Sequence, residues 1–269
     1  LERTVLLEMD LRFEASALSE MAENTKDDPE FRVPAVDWER TARECLTLEW
    51  IDGIKLNDLA GISAAGIDGV ALARVTMQSF LRHALRDGFF HADMHPGNLF
   101  VERNGTLVAV DLGIMSRLGL KERRFLAEIL YGFITRDYRR VAEVHFEAGY
   151  VPAKHRIEDF AQAVRAIGEK IHGRSAAEIS MAHLLGLLFE ITALFDMETR
   201  TELVLLQKTM VVVEGVSRNL DPDFSMWVTA EPVVREWLER NLGPIGRIEG
   251  LGREAVSMLS AATKVPDLV

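Results

Sequence analysis

Between positions 91 and 113 the chain carries His91, Asp93, His95 and Asn98, then Asp111 and Gly113, within HADMHPGN and VAVDLG. These residue types admit three kinds of chemistry. A plain polar turn needs fewer than the five polar groups found here. A transition-metal site could use His91, Asp93 and His95, because alternate residues of a strand share one face. That arrangement leaves Asn98 and Asp111 idle, and Pro96-Gly97 interrupts the strand. The third chemistry is phosphoryl transfer. It asks for Mg²⁺, which takes a few hard oxygen ligands such as those of Asn98 and Asp111. It also asks for an acid such as Asp93 to orient or deprotonate a nucleophile.

Spacing favours the third reading. Asp93 and Asn98 stand in the D-x-x-x-x-N order of a kinase catalytic loop, and Asp111-Leu112-Gly113 takes the place of D-F-G, 18 residues after Asp93. Between them, NLFVERNGTLVAVD reads as two short apolar strands around Asn104-Gly105, the favoured pair for a type I′ hairpin turn. A hairpin brings its ends together, so Asn98 and Asp111 are expected to be neighbours.

The surrounding elements must hold that hairpin. EMDLRFEASALSEMAENTK reads as a helix with Leu11, Ala15, Leu18 and Met21 on one face. RECLTLEWID alternates as a strand, stopped by Gly53. IDGVALARVTMQSFLRHALRDG reads as one long helix closed by Asp87-Gly88. From about Lys121 onward the pattern is helical. ERRFLAEILYGFITRDYRRVAEVHFEAG forms one or two helices, RIEDFAQAVRAIGEKIHG another, and PVVREWLERNL is amphipathic. AEISMAHLLGLLFEITALF and TELVLLQKTMVVVEGVSRNL read as buried helices. Glu190 and His183 make the first of these a poor membrane span. The stretch after Gly243-Pro244 is weakly patterned and expected to pack loosely. Cys45 is expected to be a small buried residue, Trp38, Trp227 and Trp237 to be packing residues, and the KERR run at 121–124 a solvated helix start.

The bulk numbers narrow the partners. The chain has 269 residues, a net charge of −11, 48% hydrophobic and 27% charged residues, and one cysteine. That is an ordinary globular balance. The acidic charge argues against nucleic acid as a main partner and against mainly electrostatic membrane attachment. A single cysteine rules out an intrachain disulfide and fits a reducing compartment. The chain by itself is expected to be soluble.

EMDLRFEA, HADMHPGN and VAVDLG together resemble the UbiB/ADCK family of atypical kinases, from about Glu2 to about Phe224. The resemblance implies an α+β, protein-kinase-like fold, chiefly its helical C-lobe, with a short β-hairpin carrying the catalytic loop. It implies ATP and Mg²⁺ as cofactors and a role in ubiquinone biosynthesis. Asp93 matches the catalytic-loop aspartate, and Asn98 and Asp111 the metal ligands. Glu8 and Asp10 match the family's E-x-D pair, thought to restrain ordinary protein phosphorylation. Glu14 matches the helix glutamate that pairs with a nucleotide-binding lysine. LEWIDG matches the hinge, where Glu49 and Trp50 could offer backbone groups to adenine. His91 matches a structural histidine, and His95 is a candidate for holding the loop. The implied partners are a nucleotide, a lipid or quinone-precursor substrate and ubiquinone-biosynthesis proteins. The parent protein would sit at the cytoplasmic side of the inner membrane.

Two departures from the kinase pattern matter. The seven lysines, Lys26, Lys55, Lys121, Lys154, Lys170, Lys208 and Lys264, lie in no V-A-x-K strand, and no K-x-G-Q motif occurs. The chain opens at Leu1 and reads as a truncated one that also lacks the family's C-terminal membrane helices. Residues 1–53 are then an N-lobe remnant with the E-x-D helix and hinge strand. Residues 54–228 are the helical C-lobe, and 229–269 a C-terminal helix and tail. The second departure is the short run LGIMSRLGL after Asp111, with no A-P-E to dock a peptide. A small molecule, a lipid-linked substrate or plain ATP hydrolysis fits better. A small-molecule phosphotransferase of the aminoglycoside or choline type and a non-catalytic kinase-like binding module remain as alternatives.

Overall fold

Aspartates start several helices by accepting the N–H groups that a helix leaves unpaired. Asp10 accepts from Arg12 N at the head of α1 (Leu11–Asn24). Asp58 accepts from Gly61 N in α2 (Leu59–Ala64), and Asp68 from Val70 and Ala71 N in α3 (Gly69–Arg82). These belong to a computed structural model that describes residues 10–172, 190–197 and 201–243. As the spacing suggested, Ala15, Leu18 and Met21 form the buried face of α1.

The strands are short. β1 (Phe31–Arg32), β2 (Ile54–Lys55), β4 (Leu99–Val101) and β5 (Leu107–Ala109) form a sheet in the order β1-β5-β4-β2. β1 runs parallel to β5, and the β4–β5 and β4–β2 pairs are antiparallel. β3 (Phe89–His91) pairs antiparallel with β6 (Met115–Arg117), His91 opposite Met115. Helices α4 (Leu120–Thr135), α5 (Tyr138–Glu147), α6 (Ile157–His172), α7 (Thr201–Leu220) and α8 (Met226–Leu242) follow. The architecture is α+β and mostly helical. Its core runs from Leu18 and Met21 of α1 through Phe80, Phe90 and Leu99 to Val213 and Val234. The boundary expected after residue 228 falls inside α8, whose Val233, Val234 and Trp237 join that core.

The hairpin forms where expected, but with a different turn. Gly105 has φ +88°, whereas Asn104 is not among the residues with positive φ. A type I′ turn needs both. Instead Gly105 N donates to Glu102 O at 2.9 Å and Glu102 N to Thr106 O at 3.0 Å. That is a type I turn followed by a left-handed glycine. Asn104 Oδ1 accepts from Thr106 N and needs no left-handed backbone for it.

The long helix ends at Gly88 as expected, but its last turn widens to a π segment, His83–Asp87. Gly88, at φ +66°, donates to His83 O, five residues back. Arg123 takes the freed carbonyls of Leu85 and Arg86 at 3.4 and 2.7 Å. Arg123 is therefore a cap on this segment and not part of a solvated helix start.

Three other expectations are corrected. Residues 43–52 form no strand. Only isolated bridges, Val36 to Leu48 and Ala42 to Cys45, pair the region, and β2 begins after Gly53. Alternation marks a face but supplies no partner, and here the chain folds back on itself within a few residues. That tight turn leaves Cys45 exposed. Trp38 lies on a 3₁₀ turn (Trp38–Arg40) and is 52% exposed, while Trp237 is buried and Trp227 packs on Phe133. The apolar run at 179–189 and the tail from 244 lie outside the described residues. Among the described residues, no helix is long and apolar enough to cross a membrane.

Candidate active site

The hairpin joins the two halves of the motif. β4 and β5 pair Leu99 with Ala109, and Val110 N donates to Asn98 O at 3.0 Å. Asp111 is thus one residue beyond the direct partner of Asn98. Asn98 is half-buried and Asp111 exposed, so two hard oxygen donors share one open end of the hairpin. Asp111 is fixed by its own turn, its Oδ1 accepting from Gly113 N at 3.0 Å.

The loop holding Asp93 is pinned mainly through its backbone. Asp93 N donates to His91 Nδ1 at 3.2 Å, and Asp93 O accepts from His95 N at 2.7 Å. Ala92 N donates to Ile114 O at 2.9 Å, tying the loop to the segment after Asp111. On the other side, Ala92 O accepts from the Thr209 hydroxyl of α7 at 2.8 Å. His91 is buried, and that burial holds its ring below the usual pKa range. Its Nδ1 also lies 3.4 Å from Ile114 O, so the ring sits between the Asp93 peptide and the segment after Asp111. His95 is exposed, and its Nδ1 accepts from Gly97 N at 3.2 Å, which closes the His95-Pro96-Gly97 turn. Both histidines meet the loop backbone through Nδ1.

Helix α1 delivers a second carboxylate to the same place. Glu14 Oε1 accepts from Leu112 N at 3.2 Å. A side chain begun at Gly113 would lie 3.2 Å from Asp111 Oδ1 and 3.9 Å from Glu14 Oε2. The two carboxylates therefore face the same glycine. Burial, and next the negative charge of Asp111, push the Glu14 carboxyl above its usual range. An excess of negative charge around oxygen donors suits a cation. Asn98 and Asp111 fit Mg²⁺, which takes few protein ligands and keeps several waters.

Asp10 lies one turn before Glu14 and is the cap of α1. Its carboxylate also pairs with Arg12 at 2.7 Å, and that hydrogen bond holds it down at about 2. Glu8 lies outside the described residues. Glu49 is held by partners of its own. Its carboxylate is taken by Arg32 at 2.9 and 3.0 Å and by Ala35 N at 3.1 Å. Its N–H donates to Ala35 O, so only its carbonyl stays available to a ligand. Trp50, beside it, is 90% exposed.

Sequence reasoning missed several braces. Arg32 bridges Glu49 to Glu102 of the hairpin, the latter at 2.5 Å. Arg117 pairs both its terminal nitrogens with Glu20 of α1 at 2.6 Å. Thr209 reaches Ala92 across 117 positions. No local pattern signals such distant pairs, although a threonine within the apolar run LVLLQKTMVVV is a weak hint.

Residues 1–145 match the model of the ABC1 atypical kinase-like domain, and residues 164–225 that of the UbiB helical domain. The chain is 38% identical over 272 residues to the "Probable protein kinase UbiB" of Marinobacter nauticus, covering 100% of this chain and 50% of that protein. It is 39% identical to the protein of the same description from Vibrio vulnificus, with the same coverage. The chain thus spans about half the length of the curated relatives it matches. The solved structure of the Rv3197–erythromycin complex from Mycobacterium tuberculosis superposes with a TM-score of 0.60 at 19% identity, over 86% of this chain and 59% of that one. That likeness fixes the fold as kinase-like.

Proposed function

This chain belongs to the ABC1/UbiB family of atypical kinases, and from that premise we propose that it takes part in Mg-ATP-dependent phosphoryl transfer or ATP hydrolysis supporting ubiquinone biosynthesis. The observation that carries the chemistry is the hairpin closure, Val110 N to Asn98 O at 3.0 Å, which gathers Asn98 and Asp111 beside the Asp93 loop. The pathway is supported by the family alone.

In this reading Asp93 orients or deprotonates the nucleophile, and Asn98 and Asp111 hold Mg²⁺. Bound there, Mg²⁺ would neutralise charge on the nucleotide phosphates. Glu14, braced on Leu112 N, would pair with a nucleotide-binding lysine, as in the family it resembles. The carbonyl of Glu49 and the backbone of Trp50 receive adenine. Asp10, the cap of α1, and Glu8 would act as the E-x-D pair that restrains protein phosphorylation. The short segment from Asp111 to α4 spends three of its residues in β6, which leaves little platform for a peptide. The acceptor is then a small or lipid-linked molecule, or water. The whole protein would work with quinone-pathway proteins at the cytoplasmic face of the inner membrane.

The test is ATP turnover by the whole protein with Mg²⁺, beside Asp93→Asn. General acid–base help is worth roughly 10²–10⁴-fold. A loss of that size with ATP still bound supports the reading. Equal turnover in the variant contradicts it.

A further inference from the structure

Helix α7 reaches the reaction centre through a single hydroxyl. Thr209 is 1% exposed, and its Oγ1 donates to Ala92 O at 2.8 Å. Ala92 immediately precedes Asp93. Among the described residues no other group is seen to donate to that carbonyl. The same hydroxyl lies 2.8 Å from Leu205 O, but it has one proton to give. Leu205 O, one turn back in the helix, already serves the helical ladder. Ala92 O does not, so it is the acceptor with more to lose.

A second hydroxyl on the same helix reinforces the docking. Ser217, two turns on, is fully buried and donates to Ala73 O of α3 at 3.2 Å. The helix is thus seated on both the catalytic loop and the helix that leads into it. Every other tether on residues 92 and 93 comes from within the 91–114 segment itself. Among the described residues, Thr209 alone ties residues 92 and 93 by a hydrogen bond to a helix outside that segment.

We infer that Thr209 is a positioning residue for Asp93: its hydroxyl fixes the Ala92–Asp93 peptide and so sets the aim of the carboxylate. This rests on the reading of Asp93 as the group that orients the nucleophile. It makes the placement of α7 a determinant of turnover, because a shift of the helix moves the Asp93 peptide with it.

The test uses the whole protein and two variants. Thr209→Val keeps the shape and removes the hydroxyl, and Thr209→Ser keeps the hydroxyl. The expected result for Thr209→Val is a kcat for ATP lowered roughly tenfold to a hundredfold, with KM within about twofold. Thr209→Ser returns kcat to near the unmutated value. Amide hydrogen exchange at residues 92–95 quickens in the valine variant and not in the serine one. Unchanged kcat and exchange in Thr209→Val would overturn the inference. So would a joint fall of kcat, KM and melting temperature that serine fails to rescue, since that marks packing alone. If the unmutated protein turns over no ATP, the underlying phosphoryl-transfer reading fails. The exchange comparison then still decides whether Thr209 holds the loop.

Discussion

Glu14 of helix α1 accepts the backbone N–H of Leu112, 98 positions later, at 3.2 Å. That bond sets a helix carboxylate beside the aspartate proposed to hold the metal. It also fixes the position of α1, which Glu20–Arg117 and the bonds of Arg86 to Asp28 and Asn24 secure further along. The electrostatic consequence can be measured without any substrate.

Glu14 has a carboxyl raised above its ordinary 4.5 by burial and by Asp111. Its protonated form stabilises the fold below the unfolded value, and that stability is lost as pH rises through the raised value. Glu14→Gln keeps an acceptor for Leu112 N and removes the charge. The metal-free variant should therefore melt a few degrees above the parent chain at pH 7. The gain should vanish below about pH 4.5. Melting curves at both pH values check it, and a lower melting temperature at pH 7 would contradict it.

Two buried histidines give the opposite slope. Burial lowers His83 from 6.5 to about 3 and His145 from 6.5 to about 4. Their neutral forms stabilise the fold above 6.5, and that stability drains away as pH falls toward those values. Each contributes up to about 1.4 kcal/mol per pH unit in that window. His145 bonds Val141 O and packs on Phe160, so His145→Phe should fit and flatten the acid slope by one proton's worth. Urea unfolding from pH 7 to pH 5 measures this directly.

Arg32 joins Glu49 to Glu102 of the hairpin. Arg32→Ala leaves two carboxylates without their partner and should cost about 1–2 kcal/mol, since these pairs are only partly screened by solvent. The Mg-ATP affinity should weaken while its dependence on Mg²⁺ persists. Titrations with nucleotide, with and without the metal, separate the two effects. A loss confined to the metal dependence would place Arg32 in the wrong role.

Much of this was legible in the residues. The Asn104-Gly105 pair marked the hairpin and with it the neighbourhood of Asn98 and Asp111, and Asp87-Gly88 marked the helix stop. These are local signals, each set by backbone chemistry within a few residues. The details that failed depended on partners elsewhere. Residues 43–52 alternated without an extended strand to pair with. The contacts of Thr209, Arg32 and Glu20 were beyond reach for the same reason. A polar residue on a helix does not announce which distant carbonyl or carboxylate it will meet.

The central claim is a metal-dependent nucleotide site built on Asp111. The most direct measurement is the thermal shift of the chain with Mg-ATP, with ATP and a chelator, and with Asp111→Ala. At a hundred times its dissociation constant a ligand adds about 2.7 kcal/mol, or roughly 5–10 °C here. The expected result is a shift of that size that needs Mg²⁺ and disappears in the variant. A shift that persists without Mg²⁺, or that survives Asp111→Ala, would contradict the account.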